Sequence, residues 1–312
     1  MSSKKQLFVL PFFLLIIVFA CKQTVEIKTK PNPSLQLNWK TLNLSGKPTQ
    51  IIETNYKQFV PDSMIEDVVT RENFTFDELG NLISRETFGE GQKSAFSHRY
   101  EYDAYGNTIK VSSNDARGRL TNISENILDS IGNAIAVKNT NYDGKLVNHI
   151  AYKYDGHGNV IERKQEEPPI AVIYKRKYAY DEKGRCILKE DVTGGKHQVK
   201  EEIQYDDALH TVTTTRFIDG VLDNTTIEQY DDRQQLISHT TEYKSYKHGR
   251  TMQYDKAGNL LAYIRHANDK IDSVFSYKVA YTYDKVGNWI TRTKSNLDGT
   301  PRTSLQRDIS YQ

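Results

Sequence analysis

Nine aspartates, Asp77, Asp103, Asp129, Asp155, Asp181, Asp206, Asp231, Asp255 and Asp284, recur along the chain, the first five at steps of 26 residues. Oxygen ligands at turns are what a hard cation such as calcium needs. Each turn supplies one dependable carboxylate, however, and neighbouring turns in a stack of hairpins stand about 10 Å apart, so the ligands do not converge. Asp206-Asp207 and Asp231-Asp232 are the only aspartate doublets at these turns, and they occur where the glycine is missing. The simpler chemistry is local: an aspartate accepts hydrogen bonds from the backbone of its own turn.

Other reactive side chains are scattered. The eight histidines show no H-x-x-x-H or Cys/His ligand spacing. Cys186 occupies the position that Leu82, Val160 and Leu260 hold in other copies of the repeat, which points to a small apolar role. No G-x-S-x-G, phosphate-binding loop or dinucleotide fingerprint appears. The sequence therefore assigns no catalytic residue, no metal ligand and no cofactor. The 20 tyrosines are the remaining chemistry, because aromatic faces stack on sugar rings and anchor protein interfaces. Those that recur in every repeat are expected to pack the sheet. Tyr105, Tyr246 and Trp289 stand outside the repeat pattern and are the candidate ligand contacts.

The elements that carry these residues follow from the repeat itself. The residue before the aspartate is aromatic in eight copies, with Leu128 the exception, and three residues after it stands glycine in seven, Leu209 and Gln234 replacing it in the others. Six residues after it comes an aliphatic residue every time: Ile83, Ile109, Ile135, Ile161, Ile187, Val212, Ile237, Leu261 and Ile290. Asp with Gly between alternating apolar runs is a hairpin signal, since glycine supplies the positive φ that closes a short loop. The turns are Asp77/Gly80, Asp103/Gly106, Asp155/Gly158, Asp181/Gly184, Asp255/Gly258 and Asp284/Gly287, with Asp129, Asp206 and Asp231 heading the others. Flanking residues alternate as in a strand: Phe275, Tyr277, Val279, Tyr281 and Tyr283 share one face. A four-residue loop from Asp through Gly would pair Tyr100 with Ile109 and Tyr281 with Ile290. A second turn near each midpoint, as at Asp143-Gly144, Gly194-Gly195, Asp219-Gly220, Asn268-Asp269 and Asp298-Gly299, completes two strands per period.

The strings Arg99-Tyr100-Glu101-Tyr102-Asp103-Ala104-Tyr105-Gly106-Asn107 and Tyr178-Ala179-Tyr180-Asp181-Glu182-Lys183-Gly184-Arg185 resemble the YD or RHS repeat family, from about residue 41 to 312. The resemblance implies antiparallel sheet that curves or spirals, in large members into a shell around a toxic cargo, and an association with carbohydrate or protein binding. This chain carries neither the cleavage-associated core motif nor a toxin-like domain after its repeats. The expected fold is all-β: tandem antiparallel β-hairpins of about 26 residues forming one coiled or rolled sheet whose Tyr/Ile face lines an interior. A closed outer-membrane barrel is the rival, opposed by Glu228, Arg176 and His98 on its presumed lipid face.

Location is written at the start. Residues 1–20 hold two lysines and 14 hydrophobic residues, ending at Val18-Phe19-Ala20-Cys21. This resembles a bacterial lipoprotein signal, with Cys21 as the lipid-bearing residue, residues 21–40 as a tether and 41–312 as the repeat domain. If Cys21 is acylated, Cys186 has no partner within the chain for a disulfide. Removing the signal takes the formal charge from +2 to 2 − 2 = 0, with no basic block to hold nucleic acid. The expectation is a non-enzymatic, lipid-anchored protein of the bacterial envelope, at the outer membrane, that contacts the membrane through its lipid and binds glycan or envelope protein as a scaffold. A shell around a toxin or other polypeptide, and a hydrolase with a composite site, are the alternatives.

Overall fold

The computed structural model describes residues 32–56, 68–91, 95–192 and 198–312. Cys21, the signal segment and the Gly194-Gly195 turn lie outside them. Among the described residues there are twenty antiparallel strands, β1 (Pro48–Tyr56), β2 (Val68–Phe76) and so on to β18 (Lys270–Tyr283), β19 (Trp289–Ser295) and β20 (Pro301–Tyr311). Each pairs with its sequence neighbours, and β1 pairs with both β2 and β20. Ile51 stands opposite Phe74 on one side and Ile309 on the other. The sheet therefore closes into a barrel and is not an open coiled or rolled sheet. Closure removes both free edges, which an open array of this size would leave unpaired.

The turn is built around the aspartate as a five-residue loop. In the second repeat the Asp103 N–H donates to the Asn107 carbonyl at 2.9 Å and Gly106 N–H to the Asp103 carbonyl at 3.1 Å. The Asp103 carboxylate accepts from the backbone N–H groups of Tyr105 (2.8 Å) and Asn107 (3.0 Å) and from the Asn107 side-chain amide (2.9 Å). Asp77, Asp129, Asp155 and Asp255 hold Asn81, Asn133, Asn159 and Asn259 in the same way. Arg185 takes the Asn role at Asp181. Asp115 to Arg119, at the opposite rim, repeats the design.

The loop is one residue longer than the Asp-to-Gly span expected from the sequence, which changes the part the glycines play. Gly80, Gly106, Gly158, Gly184, Gly258 and Gly287 do not close it; each is its fourth residue, at positive φ, and the Asn or Arg that follows is the fifth. The glycine N–H donates to the aspartate carbonyl, at 3.1 Å from Gly158 to Asp155, 2.9 Å from Gly184 to Asp181, 3.2 Å from Gly258 to Asp255 and 3.3 Å from Gly287 to Asp284. Closure falls instead to the aspartate N–H, which donates to the carbonyl of the fifth residue: Asn159, Arg185, Asn259 and Asn288 in these four turns, each at 2.9 Å.

The longer loop also corrects the expected register. Tyr100 pairs with Val111 and Tyr281 with Arg292, two residues beyond the expected partners. Tyr102 pairs with Thr108 and Glu101 with Lys110, so Ile109 is the extra residue of a β-bulge. The same slip falls at Ile83, Ile135, Ile161, Ile187, Ile237, Leu261 and Ile290. A bulge turns its extra residue out of the strand's alternation, and Ile83, Ile135, Ile161, Ile187 and Leu261 are 37–39% exposed. The aliphatic row thus decorates the outside near one rim, and only the tyrosine row faces the interior. Val212 is the exception: its turn carries no bulge, and it pairs with Tyr205.

Residues 32–47 run across the tyrosine face at the aspartate rim. Leu82 N–H donates to the Leu37 carbonyl at 2.8 Å, Thr108 Oγ1 to the Leu35 carbonyl at 2.7 Å, and Ser45 N–H to Asn288 Oδ1 at 2.8 Å. Leu37, Trp39 and Leu44 cover the buried group Ile51, Phe76, Leu82 and Tyr100. Gly80 lies under the Trp39 ring at φ +87°, where a Cβ would come within 2.5 Å of the indole.

The turns make stability depend on acid. Burial alone raises the carboxyls of Asp129, Asp155 and Asp181, but the hydrogen bonds and charges within each turn, led by the bonds from the residue four positions on, together outweigh it and hold all three below the usual range. A lowered folded-state value contributes stability that is complete above the unfolded value near about 4 and disappears as pH falls through the folded values. Thermal melts are expected to give a constant Tm above that range and a falling Tm below it. Asp155→Ala should lower Tm at neutral pH and shrink the acid dependence.

Candidate functional site

Period-two alternation separates the two faces of the wall. Arg99 and Glu101 are exposed around buried Tyr100; Thr251 and Gln253 around Met252; Lys278 and Ala280 around Val279. The outer face carries ion-paired residues such as Glu162 with Lys153 (3.1 Å) and Lys175 (2.9 Å), Glu101 with Lys110 (3.0 Å), and Lys200 with Glu202 (2.7 Å). Glu228, Arg176 and His98 are on the inner, tyrosine face, so they are not on a lipid face. The outer pairs now stand against a membrane span in their place, since a lipid-facing wall needs an apolar band where these charges stand.

The repeated tyrosines have a structural task. Tyr102 Oη donates to the Leu82 carbonyl at 2.6 Å, Tyr154 to Ala134 at 2.7 Å, Tyr180 to Val160 at 2.7 Å, Tyr205 to Cys186 at 2.9 Å and Tyr254 to Leu236 at 3.0 Å. Each hydroxyl ties its hairpin to the strand that follows the preceding turn. Burial pushes the Tyr102 and Tyr154 hydroxyls well above the ordinary value, which keeps them protonated donors. Cys186 is buried at 2% exposure in the small apolar slot the repeat assigns it.

Between these staples the inner face is polar. Arg176 forks onto Asp191, which also accepts from Tyr174. Arg85 meets Glu72 at 2.7 Å, Glu228 meets His239 at 3.2 Å, and Lys189 meets Glu201 at 3.3 Å. Arg307 donates to Glu53 at 2.7 and 2.6 Å and lies 3.3 Å from the centre of the Trp289 ring. The hydrogen bond from His239 leads the influences that lower the Glu228 carboxyl; burial acts the other way. Side chains such as Lys189 and Arg265 keep 34% and 41% of their surface, so solvent reaches the inner wall.

The three sequence candidates are not brought together. Tyr105 sits on the aspartate rim, 51% exposed, its carbonyl accepting from Gln36. Tyr246 sits at the opposite rim, 48% exposed, stacked on Tyr243 at 4.5 Å and beside His248 at 5.8 Å. Trp289 opens β19 on the inner wall, edge-on to Tyr281 at 6.2 Å. The aspartate doublets are engaged in local pairs: Asp207 takes Lys183 and Arg185, and Asp232 faces His210 at 3.6 Å. A cavity of about 370 Å³ opens between the fourth and fifth aspartate turns, lined by His157, Ile161, Tyr178 and Glu182 among others. The sequence singles out Arg176 only as a lipid-face residue and does not single out Arg163, Arg292 or Arg307 at all; their alternation with tyrosines or other inner residues becomes a signal only once the register and the closed wall are known.

The Glu53–Arg307 pair is the most enclosed ion pair of the inner wall among the described residues, each side chain retaining 15% of its surface. Glu53→Gln leaves a buried guanidinium without its counter-charge, which should cost about 3 kcal/mol in urea denaturation. An exposed control, Glu101→Gln, should change stability by less than about 1 kcal/mol.

No family model and no curated protein matches the chain. Among solved structures it is similar to a porin-like protein from Bacteroides uniformis, at 8% identity over 85% of this chain and 98% of that one, with a TM-score of 0.33. It is also similar to a porin-like protein from Bacteroides vulgatus, at 9% identity over 86% and 99%, with a TM-score of 0.25.

Proposed function

We propose that the chain is a non-enzymatic lipoprotein of the bacterial cell envelope, built of YD/RHS-like repeats, whose barrel is a scaffold that binds carbohydrate or protein. The observation that carries this reading is the inner wall, where half-exposed aromatic rings alternate with charged side chains. Aromatic faces with nearby charge suit sugar rings and peptide segments alike. A large β-barrel is compatible with an envelope location. The ion-paired outer face favours a barrel that stands in water beside its membrane, held by lipid on Cys21. Closure of the wall supports a second reading, a shell around a partner polypeptide.

Two measurements test the proposal. The full-length protein should partition into the detergent phase of a Triton X-114 extract and incorporate labelled palmitate, and Cys21→Ser should abolish both. Glycan arrays and envelope pull-downs should return a ligand whose binding weakens in a Trp289→Ala variant of unchanged fold. A blank array together with an empty pull-down would sink the scaffold reading.

A further inference from the structure

The inner wall is not uniform in charge. Over most of its circumference cations have carboxylates beside them, as Arg85 has Glu72, Arg176 has Asp191 and Lys189 has Glu201. Around β18, β19 and β20 this pattern breaks. Arg292 and Lys294 occupy successive inner positions of β19, opposite Leu305 and Thr303 of β20 and Tyr281 and Val279 of β18. Neither makes an ion pair with a carboxylate among the described residues; Arg292 lies 5.5 Å from the Trp289 ring and Lys294 4.8 Å from the Tyr277 ring. Arg302 donates to neutral oxygens, those of Asn296 and Ser273. Glu53 is taken up by Arg307.

Burial first, then repulsion from Arg292 and Arg302, lowers the Lys294 ammonium. Arg302 acts on the Asp298 carboxylate, which it helps to lower, but Arg292 and Lys294 face like charges across a half-buried surface with no carboxylate paired to either among the described residues. Such an arrangement costs stability, and a bound anion relieves it.

The bed beside these cations is aromatic. Tyr263 and Tyr277 stack at 5.1 Å, and Tyr281 approaches Trp289. All four rings are half-buried, so each keeps surface open to the interior. Same-face residues of a strand are about 7 Å apart, so Arg292 and Lys294 form a short column of charge parallel to the aromatic bed. Rings stack on sugar faces while guanidinium and ammonium groups take carboxylates. An acidic peptide would use the column and leave the bed idle.

We propose that the inner wall around Arg292, Lys294 and Arg302, with Tyr263, Tyr277 and Tyr281, binds an acidic glycan bearing uronate groups. This deepens the scaffold reading and rests on it, naming the ligand class and its place on the wall.

The test is calorimetric titration of the purified full chain with hexagalacturonate, cellohexaose and hexaglutamate at low and high salt. Hexagalacturonate should bind, more weakly as salt rises, and the other two should bind about tenfold more weakly or not at all. Arg292→Gln with Lys294→Gln should weaken hexagalacturonate by about tenfold or more. Its Tm should stay level or rise, because repulsion is removed. Arg292→Lys with Lys294→Arg should retain binding and guards against a folding artefact. Equal binding of cellohexaose overturns the acidic preference and leaves the scaffold reading in place. Equal binding of hexaglutamate overturns the glycan assignment. No binding of any probe by a folded protein overturns the inference, while the glycan array and pull-down judge the parent reading separately.

Discussion

The carboxylate at the head of each turn is the constraint from which the rest of the barrel follows. By accepting from the backbone two and four residues on, and from the side chain at the fourth, Asp103 and its counterparts fix a five-residue loop. That loop forces the bulge, and the bulge sends the aliphatic residue outward. With the aliphatic row outside, the interior is left to tyrosine and to whatever alternates with it. A protein of modest hydrophobic content, 37% by composition, can therefore build a wall of twenty strands because its local geometry is set by hydrogen bonds at turns. The apolar burial is concentrated beneath Trp39 and its neighbours.

Tyrosine supplies the second level of order. At Tyr102, Tyr154, Tyr180, Tyr205 and Tyr254 the hydroxyl reaches the carbonyl of the strand that follows the preceding turn, so each of these hairpins is registered against the one before it. Phenylalanine at the same position in the first repeat, Phe76, has no hydroxyl to offer and is instead covered by residues 32–47. Where a tyrosine reaches a different partner, the local chemistry has changed: Tyr283 meets Asp255 and Asn259, and Tyr311 meets Asp284 and Asn288.

The hairpins, their period and the packing role of the repeated tyrosines were legible in the sequence because each depends on residues within one or two repeats. The register was not. Tyr100 meets Val111 and not Ile109 because the loop ends one residue after Gly106 and the bulge at Ile109 adds a second residue, and the Asn107 amide that sets the loop reads in sequence as ordinary turn composition. Closure was hidden for a different reason: it depends on twist accumulated over all the strands and on pairing between Ile51 and Ile309, which no local pattern encodes. The inner-wall charges were obscured because both faces are polar. Arg292 and Lys294 look no different in the sequence from Lys153 and Lys175, which lie outside.

The seam between β1 and β20 sets the order of assembly. Nearly every other contact in the wall joins neighbours in sequence, so hairpins can form in order as the chain emerges, each templating the next. The seam joins Glu53 to Arg307, 254 positions apart. Until Pro301–Tyr311 is in place, β1 and the growing end both present unpaired backbone, and the curved sheet is open to any strand that can add to it. If the barrel takes a long ligand, as proposed, the same opening lets it enter sideways without threading. Loading and sealing of the barrel would then be two aspects of one event.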